Sequence, residues 1–246
     1  MRSRYPSSST LAYSFGPGPW TPAIKALIIA NVTVFVVTYF LPVLQVPLWL
    51  TPRDVVHGQL WRLVTYMFLH AGPMHLLFNM LFLWMFGVEL ERMWGTRIFV
   101  KYYFVTGVAA ALTTILVSFV PLFDLGSLYF TRTVGASGAI VAVLLAYGLY
   151  FPNREILFYG IFPIRAKYFL LILGAISLFT AGNVAHSTHI GGAIAGYLYL
   201  KGGRVHVLSE IKYRYLKWRI NRMRRKFDVY SGGRADRADD VNRRVH

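Results

Sequence analysis

Apolar residues in this 246-residue chain gather into long runs, and the runs point to the architecture. A bilayer core about 30 Å thick is crossed by roughly 20 apolar residues in a helix. Six stretches are candidate spans, at about residues 24–44, 63–88, 98–120, 134–151, 167–185 and 187–200. The first five have the length, although the second carries His70, His75 and Asn79. The sixth, HIGGAIAGYLYL, is short and Gly-rich, so it could span only inside a bundle of other helices. The expected fold is all-α, a polytopic membrane protein built as a bundle of six transmembrane helices. It comprises an N-terminal segment 1–23, a membrane domain 24–200 and a basic tail 201–246. The first twenty residues lack an unbroken apolar h-region, so no cleavable signal peptide is expected.

Composition agrees with the pattern. The chain is 56% hydrophobic and 15% charged, with a mean hydropathy of +0.47. A soluble domain carries about 25% charged residues, so a water-exposed globule is excluded. Disorder is excluded on the same figures. With no cysteine, a disulfide scaffold is excluded as well.

The net charge of +16 changes the picture only at one end. Residues 201–246 hold 14 of the 26 Lys and Arg and 5 of the 10 acids. Within 205–227, Leu208, Ile211, Tyr215, Trp218 and Met223 recur at near-helical spacing between basic residues. This predicts a basic amphipathic helix on the inner leaflet, near anionic lipids. Each basic residue there contributes roughly 1 kcal/mol. Nucleic acid is the sharper alternative for such charge, but the juxtamembrane position favours lipid, and no nucleic-acid partner is expected. The last residues, from Ser231, read as disordered.

Six spans place both termini on one side. If that side is cytoplasmic, residues 1–25, 89–101 and 152–167 supply three Lys or Arg each, and the tail supplies 14. The opposite loops hold only Arg53, Arg62 and Arg132. The positive-inside rule therefore predicts cytoplasmic termini even without the tail.

Polar groups at membrane depth are costly unless satisfied, so they become functional candidates. No Asp or Glu falls within the central apolar stretches, which excludes an aspartyl intramembrane protease. No histidine is followed by Glu, so there is no HExxH zinc site, and no metal or organic cofactor is expected. Serine, histidine and asparagine remain. His75 and Asn79 lie four apart, on one helix face. Ser137 sits in the Gly-Ala-Ser-Gly turn at the start of the fourth span. His189 opens the sixth, ahead of Gly192-xxx-Gly196, a small-residue face that permits close helix approach. Taken singly, each has a plainer reading: a lone histidine is commonly a structural residue, and Ser137 alone reads as an N-cap. Together, the three clusters all lie toward the outer face in the predicted topology, an arrangement an active site would need.

These residues carry a family resemblance. Trp61-Arg62, HAGPMHLLFN (70–79), ELERMWG (89–95), GASG (135–138) and HIGGAIAG (189–196) occur in the order and on the spans found in rhomboid intramembrane serine proteases. The chain resembles that family over roughly residues 60–200, in its bacterial-type six-span form. The resemblance implies a Ser–His dyad, with Ser137 as nucleophile and His189 as general base. It implies an oxyanion hole from His75, Asn79 and the Ser137 N–H. Gly135 and Gly138 would admit the substrate backbone, and Gly192 and Gly196 would hold the sixth span against the fourth. The first loop, 45–62, would lie partly in the membrane beside the site. Trp61 and Arg62 would stabilise that loop, and Glu91 and Arg92 read as structural ties at the inner end of the second span. Val141 stands where some relatives carry a tyrosine that stacks on the catalytic histidine. His186, one turn before His189, is expected near the membrane surface.

The implied activity is cleavage of single-span membrane proteins, in or near the outer membrane boundary, at a small residue in a segment that unwinds readily. The implied location is a bacterial inner or plasma membrane. Two alternatives from other classes stand beside it. One is an inactive rhomboid-like protein that binds membrane clients, although such proteins usually lack one member of the pair. The other is a small transporter, which the missing membrane acids and the absence of inverted repeats disfavour.

Overall fold

The computed structural model describes residues 17–120, 125–158, 162–180 and 183–204. The chain divides into two units, residues 1–200 and 201–246. Of the second, only Lys201–Arg204 are described, and the amphipathic helix expected over 205–227 lies outside the described residues.

Helix α1 (Pro22–Phe40) begins on a proline, which suits the first helical position because its missing N–H would be unpaired there anyway. The amides of Ala23 and Ile24 donate to the Glu91 carboxylate, at 2.9 and 3.1 Å. Thr21 and Thr96 donate their hydroxyls to the same carboxylate. Glu91 is thus a cap supplied from another helix, placing negative charge on the positive end of the α1 dipole. Its neighbour Arg92 donates to the carbonyls of Pro17 and Pro19 and holds the approach to α1.

The first loop is compact. It holds a 3-10 turn (Pro42–Gln45), helix α2 (Pro52–Val56) and helix α3 (Arg62–Thr65), and a second 3-10 turn (Tyr66–Phe68) follows. Arg62 is buried at its centre. Its guanidinium donates to the carbonyls of Val46 and Trp49 and to Gln59 Oε1, and stands 3.3 Å from Asp54. Trp61 sits differently: it is half exposed, and its indole N–H reaches the Pro47 carbonyl.

Two long helices follow, α4 (Pro73–Trp94) and α5 (Thr96–Val117). The second span was expected over 63–88, but its helix starts at Pro73 and runs to Trp94. The Gly72-Pro73 pair explains the shift, since proline opens a helix readily but cannot sit inside one. Helix α6 (Ser137–Tyr150) comes next. An antiparallel hairpin of β1 (Glu155–Phe158) and β2 (Phe162–Arg165) then pairs Glu155 with Arg165 and Ile156 with Ile164. The hydrophobic runs did not signal this hairpin, because its residues read as a charged inner loop. It is an exception to the all-α expectation, confined to one connection. Helix α7 (Ala166–Thr180) and helix α8 (Asn183–Arg204) complete the bundle, α8 being longer than the stretch 187–200 marked by hydropathy.

Helices α1, α4 and α5 are long and apolar enough to cross a membrane. Helix α6 has 14 residues, which rise only about 21 Å. That is less than the ~30 Å apolar layer, so at least one of its ends lies inside the layer. It packs against α4, α5 and α7. Tyr102 of α5 donates its hydroxyl to the Ala142 carbonyl, and Tyr66 donates to that of Gly107. Outward faces are apolar: Phe40, Met74 and Leu171 are 75%, 66% and 70% exposed. Surfaces of this kind suit lipid, and the protein is an integral membrane protein with a helical-bundle fold.

Candidate active site

Ser137 is the first residue of α6, and the N-cap position before it is Ala136. Among the described residues, no side chain caps this helix. The plain N-cap reading of Ser137 therefore fails, because its hydroxyl is engaged elsewhere. Ser137 Oγ lies 2.8 Å from Nε2 of His189 on α8, a distance that suits a hydroxyl proton shared with a ring nitrogen. The first amides of a helix have no intrahelical partner. The Ser137 N–H is one of them, and the helix dipole adds positive potential there.

Gly135 leads into this turn with φ +121°, a region that L side chains avoid. Space forbids a side chain as well, since a Cβ there would lie 2.8 Å from Cε1 and 2.9 Å from Nε2 of His75. The imidazole edge of His75 therefore rests against the turn that carries Ser137. The Ala71 N–H donates to His75 Nδ1 at 3.3 Å. With Nδ1 accepting, the neutral ring carries its proton on Nε2, the nitrogen facing Gly135. Asn79, one turn on, donates one amide hydrogen to the His75 carbonyl at 2.9 Å and retains a second N–H to give.

A cavity of about 620 Å³ joins these groups. His75, Asn79, Ser137 and His189 line its polar end, and Phe82, Leu144, Leu149 and Leu170 are among the apolar side chains along its length. Its walls come from α4, α6, α7 and α8. Val141 lines it too and offers no aromatic ring.

Glycines set the helix spacing. A Cβ on Gly192 would overlap the carbonyl oxygen of Gly138, and one on Gly196 would lie 2.6 Å from the Tyr102 hydroxyl and 2.9 Å from Ala142 Cβ. Gly138 itself faces Ala110 and Thr188. The two catalytic, two oxyanion and four glycine candidates thus lie on α4, α6, α8 or the turn before α6. His70 is buried, its ring edge-on to His75 with centroids 5.1 Å apart. His186 is half-buried, and its Nε2 has no hydrogen-bond partner among the described residues. It lies within α8, which begins at Asn183.

Backbone hydrogen bonds without a side-chain signature also hold the turn before Ser137. Leu50 and Thr133 exchange backbone hydrogen bonds of 3.0 and 2.8 Å, tying the first loop to the segment before Ser137. The Gly135 N–H donates to the Tyr66 carbonyl at 2.9 Å, holding the same segment from another side. Backbone pairing of this kind leaves no mark in side-chain patterns.

A Rhomboid domain family model matches residues 57–203. The chain is 34% identical over 146 residues to the Rhomboid protease GluP of Bacillus subtilis, covering 58% of this chain and 26% of that one. It is 34% identical over 154 residues to the Rhomboid protease AarA of Providencia stuartii, covering 57% and 55% respectively. With Rhomboid-like protein 14, mitochondrial, of Arabidopsis thaliana it shares 30% identity over 192 residues, 74% of this chain and 57% of the relative. The chain thus spans from about a quarter to somewhat over half the length of these relatives. With the family model covering more than half of the chain, the protein belongs to the rhomboid family.

Proposed function

We propose that the protein is an intramembrane serine endopeptidase in which Ser137 is the nucleophile and His189 the general base. The observation that carries this reading is the 2.8 Å contact between Ser137 Oγ and His189 Nε2 at the end of a cavity large enough for an extended peptide. Nε2 takes the hydroxyl proton as Oγ attacks the scissile carbonyl carbon. Negative charge then gathers on the carbonyl oxygen, where the Ser137 N–H, the His75 Nε2–H and the second Asn79 N–H can meet it. Collapse of that intermediate breaks the C–N bond, and His189 returns the proton to the departing amine. Water then hydrolyses the acyl-enzyme by the same two proton transfers in turn.

Substrates on this reading are single-span membrane proteins. The apolar walls of the cavity suit a transmembrane segment, and α4 and α7 face each other across it. Phe86 and Phe169 stack with centroids 6.1 Å apart and tie these two helices together. A substrate segment would lie along this cavity, whose walls include α4 and α7. It must unwind first, because a helical carbonyl is held in the backbone ladder. Cleavage falls near the outer boundary of a bacterial inner membrane, with both termini cytoplasmic and the basic tail near anionic lipid. The charge distribution supports that orientation.

The test is cleavage of a single-span substrate by purified protein in liposomes, with labelling by a fluorophosphonate probe. Wild type should cleave and label, while Ser137→Ala and His189→Ala should do neither and keep their thermal unfolding midpoint. Cleavage by either variant at the wild-type rate would remove that residue from the chemistry.

A further inference from the structure

Three threonine hydroxyls of α5 bond back to their own helix: Thr106 to the Tyr102 carbonyl, Thr113 to that of Ala109 and Thr114 to that of Ala110. Such back-bonding is the usual way a hydroxyl is satisfied in an apolar helix, and for Thr106 and Thr113 it is a sufficient account. Thr114 does more. Its Oγ1 also lies 3.0 Å from Ser187 Oγ and 2.8 Å from Thr188 Oγ1, both on α8 and both buried. A hydroxyl has one proton and two lone pairs. With its proton on the Ala110 carbonyl, Thr114 can accept from both α8 hydroxyls at once, so that one oxygen grips two successive residues of α8.

Those two residues immediately precede His189. Thr188 is also held from the other side, since its Cγ2 and carbonyl lie against Gly138, the residue after Ser137. The first turns of α8 are therefore registered against α5 and α6 at the level of the Ser137–His189 contact. The sequence places no carboxylate in these apolar stretches to orient the imidazole, so its placement falls to the backbone of α8.

We infer that Thr114 is a positioning residue, whose hydroxyl fixes α8 through Ser187 and Thr188 so that His189 Nε2 meets Ser137 Oγ. The inference rests on the proposed protease reading and assigns a role to a residue on α5, the helix before that of Ser137 and three before that of His189.

The test is steady-state cleavage of a single-span reporter in proteoliposomes, with the rate of fluorophosphonate labelling as a second readout. Thr114→Val keeps the side-chain shape and removes the acceptor. It should lower kcat by about tenfold to a hundredfold, the scale of a misplaced catalytic group, and slow labelling in parallel, with KM unchanged. Thr114→Ser should recover most of the loss, and Thr113→Val should behave as wild type. Thr188→Val removes one of the two bonds and should lower kcat by less than Thr114→Val does, and the double variant should be no worse than Thr114→Val alone, which already removes both. Should Thr114→Val fail to fold, the Thr114→Ser and Thr188→Val pair decides the matter by the same kcat criterion. Wild-type kcat in Thr114→Val or Thr188→Val would overturn the inference, as would additive losses in the double variant. A wild type that neither cleaves nor labels would overturn the protease reading itself, and this inference with it.

Discussion

Gly192 of α8 lies directly against the carbonyl oxygen of Gly138, so close that a Cβ at Gly192 would overlap it. The contact is backbone on backbone, one residue beyond Ser137 and three beyond His189. Glycine is needed there for space alone. Membrane helices have no hydrophobic drive toward one another and associate where small residues let them touch. Close packing and the alignment of Ser137 with His189 therefore depend on the same missing side chain.

Gly192→Ala should push α8 away from α6. Overpacking of this sort typically costs 1–3 kcal/mol, and a displacement near 1 Å at a reacting group can cost about a hundredfold in rate. Cleavage should drop by more than tenfold even where the thermal midpoint in detergent falls only modestly. Wild-type cleavage rates would show that α8 is placed by other contacts.

If Asn79 is an oxyanion donor as proposed, Asn79→Ala should leave measurable activity. Removing one oxyanion donor costs about 2.7–4 kcal/mol of transition-state stabilisation, or roughly 10²–10³ in kcat. KM should be little changed, since the donor acts on charge that develops only in the transition state. A change confined to KM would move Asn79 from the oxyanion hole to substrate binding.

Glu91→Gln should destabilise the bundle without touching the site. The carboxylate accepts from two amides of α1 and two threonine hydroxyls. Hydrogen bonds to a charged group are worth about 1.5–3 kcal/mol each in context, and the amide replacement keeps one acceptor oxygen of two. A loss of about 2 kcal/mol is expected, read as a lower unfolding midpoint with normal kcat for the folded fraction. An unchanged midpoint would mean that α1 is held by packing.

Arg62→Lys should loosen the first loop. The guanidinium serves the carbonyls of Val46 and Trp49, Gln59 Oε1 and Asp54 together, and an ammonium cannot span that fan. Limited proteolysis within residues 41–61 should accelerate. Cleavage activity should fall too, because Leu50 of this loop pairs with Thr133, close in sequence to Ser137. Unchanged proteolysis would assign the loop's order to its other contacts, such as Thr65 Oγ1 to the Leu48 carbonyl.

Much of the molecule is readable from the order of its residues. The runs of apolar side chains mark where helices lie, because a bilayer demands about 20 of them per crossing whatever else the fold does. The charge asymmetry between loops carries the expected orientation, and the motifs from Trp61-Arg62 to HIGGAIAG carry the resemblance to rhomboids. Gly72-Pro73 even marks the true start of α4, which hydropathy placed ten residues early. Other features depend on groups far apart in the chain. The hairpin between α6 and α7, the Leu50–Thr133 bridge and the Gly135 N–H to the Tyr66 carbonyl are backbone hydrogen bonds, to which side-chain identity is nearly blind. The Glu91 cap on α1 joins residues 68 positions apart, and Thr114 reaches α8 across 73 and 74. Hydrophobicity and local propensity act over a few residues, so they dictate which segments become helices. A 2.8 Å approach of His189 to Ser137 requires three helices to pack in one register, and that register follows from steric fit and long-range hydrogen bonds once the chain has folded.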